Sequence, residues 1–109
     1  MALKLETIRA KVGATILDVL RPGWADGINL DSLDMSSCEV CVLGQTYGGF
    51  DKGVAQLFAV RDKTEGSGGK YQAAEEAGFS LGSAWDGNGQ KYSVLTASWK
   101  REIARRQTV

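Results

Sequence analysis

Residues 38–50, CEVCVLGQTYGGF, are the stretch on which the fold class turns. Val40, Leu43 and Tyr47 share one helical face, while Cys38, Val40 and Val42 alternate as a buried strand would. Length and punctuation favour the helix. Ser36 or Ser37 precedes it, Glu39 follows within three residues as in a partial capping box, and Gly48-Gly49 supplies an ending. The expectation is a mainly α fold. An α+β fold with a short strand near residues 38–45 is the alternative.

The segments on either side strengthen the helical reading. Leu5, Ile8, Val12, Ile16 and Val19 recur at spacings of three and four, with Arg9, Lys11 and Asp18 lying off that face. This predicts a helix over about 4–20, ended by Arg21-Pro22-Gly23 because proline disfavours helical geometry at the residue before it. Gly13 inside it costs about 1 kcal/mol relative to alanine, which hints at close packing. Residues 22–35 mix turn formers with apolar anchors, Trp24, Ile28, Leu30, Leu33 and Met35, and read as a loop or short helical turn tucked against the core. Asp31 and Asp34 suit capping positions. Val54, Leu57 and Phe58 fit a further helix over about 51–60.

Two breaks follow. Residues 61–70, RDKTEGSGGK, form a solvated glycine-rich connection, and 82–91, GSAWDGNGQK, a turn region. Between them a helix is expected over about 70–77, stopped at Gly78, with Phe79 and Leu81 covering the core edge. Finally Tyr92, Leu95, Trp99 and Ile103 mark a last helix with Ser93 as its cap, and the basic residues of its final turns complement the carbonyl end of the dipole. The chain therefore reads as a single domain over 1–109, with four or five helices joined by glycine-rich loops.

Composition fits that picture and excludes several functions. The chain has 109 residues, 43% hydrophobic, 24% charged and 8% aromatic, which suits one packed core. Thirteen basic and thirteen acidic residues cancel, so no global field steers the protein to DNA or anionic lipid. Histidine is absent, which removes the commonest general base and most zinc and haem ligation. Met1–Glu6 carries no long apolar run of the signal-peptide type, and no window resembles a membrane span. The expected location is cytoplasmic, the host cytoplasm if the gene belongs to a phage, with no membrane partner. Two cysteines agree with a reducing compartment.

Candidate chemical motifs fail on their details. Cys38-Glu39-Val40-Cys41 has redox spacing, yet no strand leads into it, and small buried side chains explain it more simply. Gly66–Lys70 suggests a phosphate loop, but Thr64 replaces the first glycine and Tyr71 the Ser or Thr after the lysine. Asp86–Lys91 begins like a calcium loop, then places Lys91 where glycine is required and Ala97 where glutamate is required. Asp26, Asn29, Asp31 and Asp34 fit no known cation cage. No catalytic, cofactor or metal residues are expected, and the protein reads as a non-enzyme.

Surface features remain. In residues 89–109, Lys91, Lys100, Arg101, Arg105 and Arg106 against Glu102 leave a local charge of +4. Lys100, Arg101, Arg105 and Arg106 are therefore candidates for contact with phosphates or with an acidic partner. Trp85, between Gly82 and Gly87, is the candidate exposed aromatic of a binding surface.

Arg21-Pro22-Gly23-Trp24, Leu33-Asp34, Cys41-Val42-Leu43-Gly44-Gln45 and Tyr47-Gly48 carry a resemblance, continued by Leu95-Thr96, Trp99, Glu102-Ile103 and Arg105-Arg106. Over roughly residues 15–60 and 78–106 the chain resembles small uncharacterised proteins of actinobacteria and their phages. The resemblance implies a phage or prophage provenance and carries no catalytic residues. The function expected is a protein–protein interaction, with a host protein or by self-association. A nucleic-acid accessory role for the basic C-terminal helix is the alternative.

Overall fold

In the computed structural model, which describes residues 5–64, 69–81 and 90–107, the stretch 38–50 folds as a turn followed by a helix. Ser37 Oγ accepts hydrogen bonds from the backbone N–H of Glu39 (3.2 Å) and of Val40 (3.4 Å), which closes a turn. Helix begins only at Val42, where the Cys41 thiol acts as cap and accepts from the Gly44 N–H at 3.3 Å. The cap thus stands at Cys41, later than the expected serines. Gly48 ends the helix with φ 86, a left-handed conformation that glycine adopts without strain.

The described residues hold five α-helices and no strand, and the mainly α expectation stands over the α+β alternative. They are α1 (Leu5–Leu20), α2 (Val42–Tyr47), α3 (Phe50–Thr64), α4 (Gly69–Glu76) and α5 (Gln90–Arg106), with a 3-10 turn over Trp24–Gly27. The chain from 28 to 41 is held by local hydrogen bonds, Asn29 Oδ1 accepting from the Asp31 N–H and Asp34 Oδ1 from the Ser36 N–H, both at 2.9 Å, and by longer-range ones from the Asn29 N–H to Gln45 (2.7 Å) and from the Met35 N–H to Thr96 (3.0 Å). Neither Asp31 nor Asp34 caps a helix. Ser93 does not either, because α5 begins at Gln90 and places it inside the first turn. The expected breaks at 61–70 and 82–91 are narrower where described, since α3 runs to Thr64, α4 starts at Gly69 and α5 at Gln90. Residues 65–68 and 82–89 lie outside the described residues, and so does Trp85.

α1 and α5 lie side by side and point the same way. Thr7 meets Ser98 (3.1 Å), Lys11 meets Glu102 (3.4 Å) and Asp18 meets Arg106 (2.9 Å), in ascending order on both helices. Beneath them runs a line of rings. Trp99 stacks on Phe79 with centroids 5.2 Å apart, Trp24 meets Trp99 edge-on at 5.9 Å, and Phe58 reaches Phe79 at 6.1 Å. The buried indole nitrogens are satisfied: Trp99 donates to the Gly78 carbonyl at 2.6 Å and Trp24 to Asp18 at 3.0 Å.

α1 does not seat its large apolar stripe on this core. The buried residues are Ala10, Gly13, Ala14 and Leu17, while Leu5, Ile8, Val12 and Val19 are exposed, and Ile16 alone of the expected stripe packs, half-buried, against the core. The cause is the breadth of Trp99. A Cβ at Gly13 would stand 2.8 Å from the Trp99 ring and collide with the Ala77 carbonyl, so only a bare backbone fits there. Gly78, at φ 79, allows the same approach from the opposite side, because a Cβ on it would lie 2.7 Å from the Arg9 carbonyl carbon. Small residues at i, i+3 and i+4 bring α1 flat against the ring and the 77–78 turn. That choice rotates the larger aliphatic side chains outward.

Candidate interaction surface

The four basic candidates on α5 do not form one patch. Arg106 points at α1: its Nε lies 2.9 and 3.1 Å from the two Asp18 oxygens, and its Nη1 donates to Glu102 Oε1 at 3.1 Å. Asp18 also accepts from Trp24, so Arg106 fastens α5, α1 and the 3-10 turn together. Gln107 adds hydrogen bonds to the carbonyls of Ala25 (3.1 Å) and Ile28 (3.0 Å). Arg106 is thus a structural clamp with its donors occupied.

Lys100 stands on another side of α5. It borders an open groove of about 570 Å³ between α5 and residues 31–36, where Asp31, Asp34 and Thr96 also line the wall. Thr96 already accepts from the Met35 N–H at 3.0 Å, and Asp34 is engaged by Ser36. Arg101 and Arg105 project elsewhere, beside α1. Arg105 Nη2 lies 2.7 Å from Glu102 Oε1, and Arg101 Nη2 donates to Ser98 Oγ at 3.3 Å.

Glu102 is the electrostatic centre of this seam. It is buried, and burial pushes its pKa up, but hydrogen bonds from Arg105, Arg106 and Lys11 outweigh that and hold it below the usual carboxylate value. The Arg106 hydrogen bond likewise lowers Asp18, against a smaller opposing effect of burial. Asp18 in turn is the main reason that the Arg106 pKa is raised. Lys11, Arg105 and Arg106 converge on the two carboxylates, with Arg101 on Ser98 one turn away, so cations outnumber carboxylates among these side chains.

Directly beside it runs the outward stripe of α1. Val19 is 73% exposed, Leu20 58%, Leu5 53%, Val12 45% and Ile8 44%. Single exposed aliphatics are ordinary, and a row of them along one helix is a candidate contact surface. Sequence spacing placed Leu5, Ile8, Val12 and Val19, but not Leu20, on one helix face without identifying that face as surface. The available signal was the competing stripe Ala10, Gly13, Ala14 and Leu17 at the same helical spacing.

Of the two cysteines expected to be small buried side chains, only Cys41 is buried; Cys38 is exposed, in the turn before α2. Both are free thiols. Burial pushes the Cys41 thiol up, against the hydrogen bonds it accepts at the start of α2. Among the described residues no three His, Cys, Asp or Glu side chains gather as a metal site, and no helix is long and apolar enough to cross a membrane.

Comparison with family models, with curated proteins and with solved structures yields no match. The functional reading therefore rests on this surface alone.

Proposed function

We propose that this protein is a non-enzymatic interaction module that works by binding another protein, of phage or prophage type, in the cytoplasm of the cell that makes it. The observation that carries the reading is the exposed aliphatic row Leu5, Ile8, Val12 and Val19 on a helix whose other face is tightly packed. Keeping such a row in water is unfavourable by roughly 25 cal/mol for each Å² of apolar surface, and a partner relieves that cost. The resemblance to small phage and actinobacterial proteins supports the provenance. A nucleic-acid role draws less support, because Arg106 is consumed by Asp18 and Glu102, and Lys100 faces away from Arg101 and Arg105.

The test is affinity capture of the tagged protein from the producing cell after nuclease treatment, beside a Val12→Glu/Val19→Asp variant. A protein that survives nuclease with the wild type and is lost with the variant is the expected result. Recovery of nucleic acid alone, abolished by moderate salt, would replace this reading with the accessory role.

A further inference from the structure

The apolar row has a chemically distinct border. On the α5 side stand Lys11, Arg101 and Arg105; Glu102 pairs with Lys11 and Arg105 and is shared with Arg106 as well, while Arg101 donates to the Ser98 hydroxyl. Arg105 keeps 60% of its side chain exposed and Lys11 46%, so both cations reach solvent despite these contacts. On the opposite side Arg9 is matched by Glu75 at 3.8 Å. The surface is thus an apolar seam with one cationic edge and one neutralised edge.

Building on the interaction reading above, we infer that α1 is the docking site for an amphipathic helix of another protein, apolar along its seam and acidic on the flank that faces α5. The seam has the spacing such a partner requires. Leu5, Ile8, Val12, Thr15 and Val19 alternate by three and four, the a and d rhythm of helix pairing, along the 16 residues of α1. At 1.5 Å per residue that is a contact line of about 24 Å. Carboxylates on the partner's flank would neutralise the cations that Glu102 and Asp18 leave in excess, and would fix the direction in which the partner lies.

A second copy of this chain fits less well. It would bring the same cations, and of the carboxylates on α1 and α5 both Asp18 and Glu102 are already held, which leaves Glu6 against Lys11, Arg101 and Arg105. A lipid surface also fits less well. The exposed seam is aliphatic, with no Trp or Phe among Leu5, Ile8, Val12, Val19 and Leu20 to seat at a headgroup boundary.

The experiment uses the full chain and two fluorescent synthetic peptides as long as α1. Both carry leucine at seam positions; one has glutamate on its flanks and the other has lysine. The glutamate peptide is expected to bind at least about tenfold more tightly than the lysine peptide, with affinity that falls as salt rises. Val19→Asp should weaken it by about tenfold or more, since a carboxylate would be buried in the seam, and Arg101→Glu by about threefold. Circular dichroism of both variants checks that the fold is retained.

Equal binding of the two peptides overturns the acidic partner, and so does absence of binding by either. Binding that Val19→Asp leaves unchanged overturns the site. Sedimentation that shows a dimer dissolved by Val19→Asp assigns the face to a second copy, and capture by vesicles of anionic phospholipid assigns it to membranes; either result overturns the inference. Retained nuclease-resistant capture alongside any of these failures leaves the interaction reading in place and removes only this class of partner.

Discussion

Gly13→Ala separates two forces that act in opposite directions at one atom. Helix propensity alone predicts that alanine stabilises the middle of α1 by about 1 kcal/mol. The structure predicts the reverse. The new methyl would meet the Ala77 carbonyl and, at 2.8 Å, the Trp99 ring, which is itself held by a 2.6 Å hydrogen bond to Gly78. Neither neighbour is the loose end of a flexible side chain, so the overpacking cost sits near the top of its usual range, about 3 kcal/mol. The net loss is about 2 kcal/mol. For a chain of 109 residues, with an unfolding entropy of about 2.1 cal/mol/K per residue, this lowers Tm by about 9 °C.

Val12→Ala, one residue earlier, supplies the contrast. Val12 is exposed, so its truncation should change stability by no more than about 0.5 kcal/mol, where a core truncation would cost about 2 kcal/mol or more. Thermal and urea unfolding followed by circular dichroism measure both variants. A stabilised Gly13→Ala together with a strongly destabilised Val12→Ala would mean that α1 is turned the other way, and would refute the outward stripe and everything built on it.

The clamp and the thiols give three further measurable outcomes. Arg106→Ala should destabilise the protein by about 1–3 kcal/mol, because Asp18 and Glu102 lose charge-assisted hydrogen bonds across three elements. Asp18 and Glu102 both have lowered folded-state pKa values, so their contribution is present above the unfolded carboxylate pKa and is lost as pH falls through the folded values. Unfolding midpoints measured from neutral pH down to about pH 3 should therefore fall less in Arg106→Ala than in the wild type, and parallel curves would refute the clamp. With a thiol-specific disulfide reagent, Cys38 should react at once and Cys41 only on unfolding. Fast reaction of both thiols would contradict the burial of Cys41 and its place at the start of α2.

The helical character of the chain was legible before any tertiary contact, because apolar spacing, Pro22, Gly48 and Gly78 act within a few residues. The limits of α1 and the burial of Trp99, Leu95 and Ile103 follow the pattern read from sequence, while α5 begins before its expected cap at Ser93. Starts of helices were less legible. Ser37 and Cys41 both accept from free N–H groups, Ser37 in the turn and Cys41 at the start of α2, and Phe50 from beyond α2 donates to the Cys38 carbonyl between them at 3.1 Å.

The orientation of α1 was decided by tertiary structure alone. Its sequence contains two stripes at the same helical period, one large and aliphatic, one small, and hydrophobicity by itself favours burying the larger. The small stripe faces the core because Trp99, more than eighty residues away, presents a flat ring against which only a residue without a Cβ fits at position 13, between the buried Ala10 and Ala14. The basic residues of α5 divide for the same reason: composition places them together, but Asp18 on the packed neighbour draws Arg106 inward and leaves Arg101 and Arg105 at the edge. Periodicity says which side chains share a face. Which face meets the core depends on the shape of a surface contributed by a distant part of the chain.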